Sequence, residues 1–260
     1  DIKKGYNIYR HGATDFFLVK EHNNKIKRII FKEVKSKNDE LSVYQRKFKS
    51  AKNTFESLIK LAPENPVGYF RLGLLQRLLK EYDPALENFN KAMSLNPDLI
   101  DVFTNIILVH AAKKDFETAI LKCDKKLEKL QDDPNLLAIV YNLKGRLYLA
   151  QHKKEQAEVS FKKALKENSN VPGPYYSLGR IYLTQGKEDK AIEQYKNALG
   201  KNPKQTTPHM LLGTIYDMQK RGDLSEKHYR AALDINPDFA PAANNLAYLL
   251  VMQNKNIDEA

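Results

Sequence analysis

Arg146 and Arg180 lie 34 residues apart, and so do Asn142 and Tyr176. A guanidinium presents its donors in a planar fork that matches a carboxylate, and amide and phenol groups can fix a peptide backbone or ring. That set suits recognition of a protein segment. Residues suited to making and breaking bonds are present but not assembled. The six histidines are scattered, and Cys123 is the single cysteine. One thiol excludes an intrachain disulfide framework and a zinc ribbon. Nothing in the surrounding pattern places a cation beside Cys123, so a buried, inert thiol is expected there. The sequence has no Walker-type loop, no GxGxxG, no HExxH and no GxSxG. The expectation is a chain that is not an enzyme and holds no metal or cofactor.

The 34-residue step runs through most of the chain. It links Pro63 to Pro97 and Pro203 to Pro237, Ala51 to Ala85 and Ala119, and Ala157 to Ala191 and Ser225. Four residues after each small residue comes Phe55, Phe89, Cys123, Phe161, Tyr195 or Tyr229. Leu-Gly pairs recur at Leu72-Gly73, Leu178-Gly179 and Leu212-Gly213, and Leu246-Ala247 fills the last such slot. A small residue in one helix lets a second helix approach, and apolar side chains at i+3 and i+4 form the stripe that is buried. A proline stops the second helix and opens the next unit. Each unit is therefore an antiparallel helix pair that cannot bury its apolar face alone, so units stack.

The pattern resembles the tetratricopeptide repeat. Tyr175 to Pro203, YYSLGRIYLTQGKEDKAIEQYKNALGKNP, matches that motif at nearly every signature slot, and the resemblance covers about residues 47–260. It implies an all-α fold, a right-handed superhelical α-solenoid of stacked antiparallel helix pairs. Five full units start near Pro66, Ile100, Ala138, Pro172 and Thr206, with a truncated last repeat from Ala240. The step from Ala119 to Ala157 is four residues longer. Asp133 suits an N-cap and Pro134 a first helical residue, so the third unit is expected to open with a helix one turn longer, its phase kept. The second unit has Ile107 in the small slot and Lys126 where Ala is usual, and the third has Lys144 in a Leu slot, so packing there is expected to be looser.

Residues 1–46 read as a separate basic segment. Gly5 and Gly12 fall in frame with the repeat, which hints at a degenerate helical unit. Ile26, Ile29, Ile30 and Val34 fit a helix, whereas Asn23-Asn24 between two β-favouring runs fits a hairpin; the helix is preferred. A long helix is expected from Asn38 to Leu61. Residues 1–65 hold 15 basic and 8 acidic side chains, a net of +7, and the other 195 residues carry the remaining +4 of the total of +11. No apolar run approaches the ~20 residues that cross a bilayer. The chain opens on Asp1 and breaks off inside a helix pair, so the expectation is a piece of a longer protein, with any targeting segment outside it.

The resemblance also implies which slots of each first helix line a concave groove. They hold Phe70 and Leu74 in the first unit, Asn142 and Arg146 in the third, and Tyr176 and Arg180 in the fourth. In the fifth they hold Met210, Asp217 and Met218, and in the last Asn244, Tyr248, Val251 and Met252. The groove then has an electropositive centre and an apolar first half, although Phe70 and Leu74 are equally open to cover by the N-terminal segment. Neither the carboxylate clamp nor the asparagine ladder of some relatives is present at the corresponding slots. His110 and His209 occupy slots usual for aromatics and are expected as packed helix residues. The leading reading is a non-catalytic scaffold that binds a peptide or helix of a protein partner, acidic in character, in this groove. Two alternatives are binding of a nucleic acid or membrane surface through the basic cluster from Lys25 to Lys52, and the interaction arm of a larger enzyme. Interleaved Glu21, Glu33, Asp39 and Glu40 weaken the first of these.

Overall fold

A computed structural model describes residues 6–11, 15–22, 25–30, 37–130 and 133–253, with side chains from Arg46 onward. The described chain begins with three strands, β1 (Tyr6–His11), β2 (Asp15–His22) and β3 (Lys25–Ile30). It continues with α1 (Lys37–Leu61), α2 (Pro66–Leu78), α3 (Tyr82–Leu95), α4 (Ile100–Ala112), α5 (Phe116–Lys129) and α6 (Pro134–Ala150). Six further helices follow: α7 (Lys154–Glu167), α8 (Pro172–Thr184), α9 (Glu188–Lys201), α10 (Thr206–Met218), α11 (Gly222–Ile235) and α12 (Ala240–Met252). Residues 1–115 and 116–260 form two compact bodies.

From α1 onward the described chain is helical, as expected, and α1 matches the long helix read from Asn38 to Leu61. The N-terminal segment corrects the reading. Its described elements are strands in an antiparallel sheet of order β1-β2-β3, with Ile8 opposite Leu18 and Leu18 opposite Ile29. Where the backbone is described, Ile26 to Ile30 of the preferred helix lie in β3 instead. Runs of six to eight residues rich in β-branched and aromatic residues are too short to repay helix nucleation and fit a pleated ladder. Gly5, Gly12, Asn23, Asn24 and Val34 lie outside the described residues. So do the side chains of the basic cluster before Arg46, leaving Arg46, Lys47, Lys49 and Lys52 of that cluster described, on α1.

Within residues 1–115, α1 packs on α2, α2 on α3 and α3 on α4. Within residues 116–260, α6 pairs with α7, α8 with α9 and α10 with α11, and each second helix packs on the first helix that follows. One contact recurs inside the pairs. A Cβ placed on Gly73 would lie 2.7 Å from the Phe89 ring, on Gly145 2.6 Å from Phe161, on Gly179 2.4 Å from Tyr195, and on Gly213 2.6 Å from Tyr229. The four rings are at most 1% exposed, so they have nowhere to retreat. Burial pushes the Tyr195 phenol up to about 12. Where the fifth unit replaces Ala by Ser, Ser225 Oγ donates to the Gly213 carbonyl at 2.9 Å, which satisfies a buried hydroxyl.

The turns repeat as closely. Lys80, Lys114, His152, Gly186 and Lys220 take φ of 57–69°, one after each of α2, α4, α6, α8 and α10. The next residue's N–H bonds back five positions, as Lys187 does to Tyr182 and Arg221 to Tyr216, both at 2.8 Å. This left-handed cap satisfies carbonyls that a helix end leaves free. After the second helices, Asn96, Asn168, Asn202 and Asn236 each accept through Oδ1 from the N–H two residues on. The extra four residues of the third unit form the expected added turn. α6 has 17 residues against 13 in α2, α4, α8, α10 and α12, Asp133 accepts from the Leu136 N–H at 3.0 Å, and Pro134 is the first helical residue.

The irregular slots are filled by specific partners. Lys144 pairs with Asp124 and lies 5.8 Å from the Tyr148 ring centre. Cys123 is fully buried, and burial pushes its thiol up to about 12, so it stays protonated at neutral pH. His110 Nδ1 lies 2.9 Å from Asp115 at the end of α4. Between α10 and α11, His209 Nδ1 sits 3.0 Å from His228 Nδ1, and the His228 ring stacks on Tyr216 with centroids 5.5 Å apart. Burial first, then His209, Lys227 and Lys196, push His228 down to about 4.

Three tests follow from these contacts. Gly179→Ala should destabilise by about 1–3 kcal/mol despite alanine's better helix propensity, because the added methyl meets a ring that cannot move. In the same urea titration Gly200→Ala, whose Cβ meets nothing within 4 Å, should stabilise by about 0.5–1 kcal/mol. Equal signs for the two would refute the contact. Lys220→Gly should stabilise by about 0.5–1 kcal/mol, since only glycine takes that backbone conformation without strain. His228 binds its proton less readily folded than unfolded, so its contribution is fully present above the unfolded value of ~6.5 and is lost as pH falls towards 4. The thermal midpoint should therefore drop between pH 6.5 and 5, where carboxylates stay ionised, and His228→Gln should flatten that slope.

Candidate partner-binding face

The first helices of residues 116–260 repeat one register. Stepping by 34 from Arg146 on α6 gives Arg180 on α8, Thr214 on α10 and Tyr248 on α12, and from Asn142 it gives Tyr176, Met210 and Asn244. α6 packs against α8 and α10 against α12, which sets equivalent slots of those helices side by side. The positions not spent on pairing form the face these slots share.

Arg146, Arg180, Asn244 and Tyr248 are exposed, Tyr248 to 64%. Neither arginine makes a hydrogen bond or ion pair with a described residue. Arg180 is close enough to Tyr195 to oppose, in part, the rise that burial imposes on that phenol. The two guanidiniums are thus presented to solvent from adjacent helices.

The other candidates are more engaged. Asn142 is half-buried, its Oδ1 has no hydrogen-bond partner, and a Cβ on Gly173 would come 3.3 Å from its Nδ2, so the glycine on the next first helix leaves room for the amide. The Tyr176 hydroxyl donates to Gln205 Oε1, and Gln205 in turn donates to the Asn202 carbonyl at 2.9 Å. That phenol is tied to the turn before α10, and burial raises its pKa. Met210 packs against the cluster around Tyr229 and Leu246, and Thr214 Oγ1 donates to its carbonyl at 3.0 Å. Asp217 is half-buried. Phe70 and Leu74 belong to the other body, where both pack on the cluster of Ala85, Phe89 and Val102, with the Phe70 and Phe89 rings 6.0 Å apart. They hold α2 to α3 at least as much as they face outward.

Two features lie outside the sequence reading. Gln151, Gln185, Gln219 and Gln253 cap α6, α8, α10 and α12 at the same 34-residue step. Gln219 Nε2 donates to Glu188 Oε2 at 2.7 Å, tying the end of α10 to the start of α9, and a Cβ on Gly222 would collide with Gln253 Nε2 at the start of α11. Their spacing was the available signal. The His209–His228 contact had none, because the two residues are 19 apart on different helices. Among the described residues no three His, Cys, Asp or Glu side chains are grouped to hold a metal, and no helix is long and apolar enough to cross a membrane.

Comparison with known proteins bears on this face through the fold. A tetratricopeptide-repeat pattern matches residues 66–99, and a second pattern of the same description matches 142–206 and 176–240. A photosystem I assembly protein, Ycf3, of Rippkaea orientalis is 26% identical over 118 residues, 41% of this chain and 68% of that protein. Ycf3 of Synechococcus elongatus is 31% identical over 103 residues, 34% of this chain, and the match spans 58% of its own length. The structure of PilW, described as a widely conserved type IV pilus biogenesis factor, superposes with a TM-score of 0.57 at 20% identity, over 80% of this chain and 93% of PilW. That likeness is one of fold, an α-solenoid of helix pairs. The family matches reach half of the chain, which belongs to the tetratricopeptide-repeat family and is in general terms a protein-interaction scaffold.

Proposed function

We propose that this chain is a non-catalytic scaffold whose first-helix face, across α6, α8, α10 and α12, holds a segment of a protein partner. The observation that carries the reading is the pair of exposed guanidiniums at equivalent slots, Arg146 and Arg180, with no ion pair to a described residue. Nothing in helix-pair packing calls for arginine there. Two cations one helix spacing apart, at ~8–10 Å, stand within about a Debye length at physiological salt, so each is held against the repulsion of the other. A carboxylate-bearing segment relieves that repulsion and receives forked hydrogen bonds. The partner is acidic where it crosses these helices. The relatives' name, an assembly protein, is in keeping with a chain that holds a partner without transforming it.

The test is fluorescence anisotropy with a fluorescein-labelled 12-residue peptide rich in glutamate. It should bind the chain, weaken as salt rises, and lose about tenfold or more in affinity to the double variant Arg146→Glu, Arg180→Glu with helicity unchanged. Equal affinity for wild type and variant would remove the proposed site.

A further inference from the structure

The face is not uniform along its length. One register row reads Arg146, Arg180, Thr214, Tyr248, and the row four residues on reads Ala150, Thr184, Met218, Met252. All eight are exposed except the half-buried Thr214. Over α6 and α8 the large groups are guanidinium, and their neighbours are the small Ala150 and Thr184, which leave the arginines space to move. Over α10 and α12 the large exposed groups are mainly apolar, beside the exposed Asn244: Met218 at 66%, Tyr248 at 64%, Val251 at 49% and Met252 at 66%. Such a cluster of large apolar side chains in water is a signature of an interaction site, and methionine adapts to varied partners. The acidic side chain in these slots, Asp217, stands on the apolar half, where it repels carboxylates and reinforces the cationic end as their place.

We infer that the face reads a bipartite segment, extended in conformation, in which two acidic residues cross α6 and α8 and bulky apolar residues cross α10 and α12. This rests on the scaffold reading above and adds what the partner must contain. Adjacent first helices at ~10 Å match about three residues of extended chain at ~3.3 Å each. The two acids therefore fall three residues apart, and the apolar residues follow at the same interval. An extended backbone brings unpaired N–H and C=O groups, for which the amides of Asn142 and Asn244 stand at either end of the neighbouring row; a helix would satisfy its own. Charge complementarity places the acids, and dehydration of the apolar cluster supplies the affinity that exposed ion pairs alone do not.

The experiment pans a phage-displayed library of random 16-residue peptides on the full 260-residue chain, then measures the recovered peptides by anisotropy in double-mutant cycles. The protein variants are Arg146→Gln with Arg180→Gln, and Tyr248→Gln with Met252→Gln. All four positions are exposed and glutamine is a good helix former, so the thermal midpoint should not move. Glu→Ala changes in the peptide should cost about tenfold against wild type and less than twofold against the arginine variant, with no such coupling to the Tyr248/Met252 variant. Apolar→Ser changes should show the converse. Peptides that bind this face with the couplings exchanged, or with no apolar coupling, would overturn the bipartite reading and leave the scaffold reading standing. No recovered peptide, or peptides indifferent to all four substitutions, would overturn both.

Discussion

The contact between a glycine on one helix and a ring on the next is the constraint from which the rest of the array follows. A ring that comes within 2.4–2.7 Å of where a Cβ would stand leaves no room for one. That fixes the distance between helices of a pair and the rotation of each about its axis, because both the bare backbone and the buried ring must face inward. Once the inward side is set, the outward sides are set too. Alanines at Ala85, Ala157 and Ala191, all fully buried and one turn before the rings, let the same side of the second helix close on its partner. The same arrangement recurs at each 34-residue step because each pair solves the same packing problem.

Function is then confined to what packing does not claim. On α6, α8 and α12 the exposed slots carry Arg146, Arg180, Asn244 and Tyr248. Tyr176 shows how narrow that freedom is: its ring packs against the core and its hydroxyl is taken up by Gln205. Arg146 and Arg180, by contrast, find no partner among the described residues.

The array was legible in the sequence because its determinants are local and repeated. Small residue, ring and proline recur at fixed intervals, and the helix starts at Pro66, Ile100, Pro172, Thr206 and Ala240 follow from them. Even the four-residue irregularity could be resolved, since Asp133 and Pro134 carry the chemistry of a helix start. The N-terminal sheet was not legible in the same way. Short runs of isoleucine and phenylalanine satisfy both periods, and pairing between strands, not anything within one run, decides the outcome. Contacts between residues unrelated by the repeat, His209 with His228 and Lys144 with Asp124, leave no mark in a periodicity. Which side chains of the first helices are already occupied was not legible, because the partner of the Tyr176 hydroxyl comes from a turn.

The glycine–ring contact also gives the array its mechanics. Within a pair the ring wedges against bare backbone, a contact that resists sliding and rotation at once. Between pairs the helices pack less extensively and engage only the next neighbour. Each pair is therefore a stiff leaf, and compliance gathers at the joints between leaves. Within residues 116–260, small rotations at successive joints would add. The spacing between Arg180 and Tyr248 is then set by two joints and not by the stiffness of any one pair.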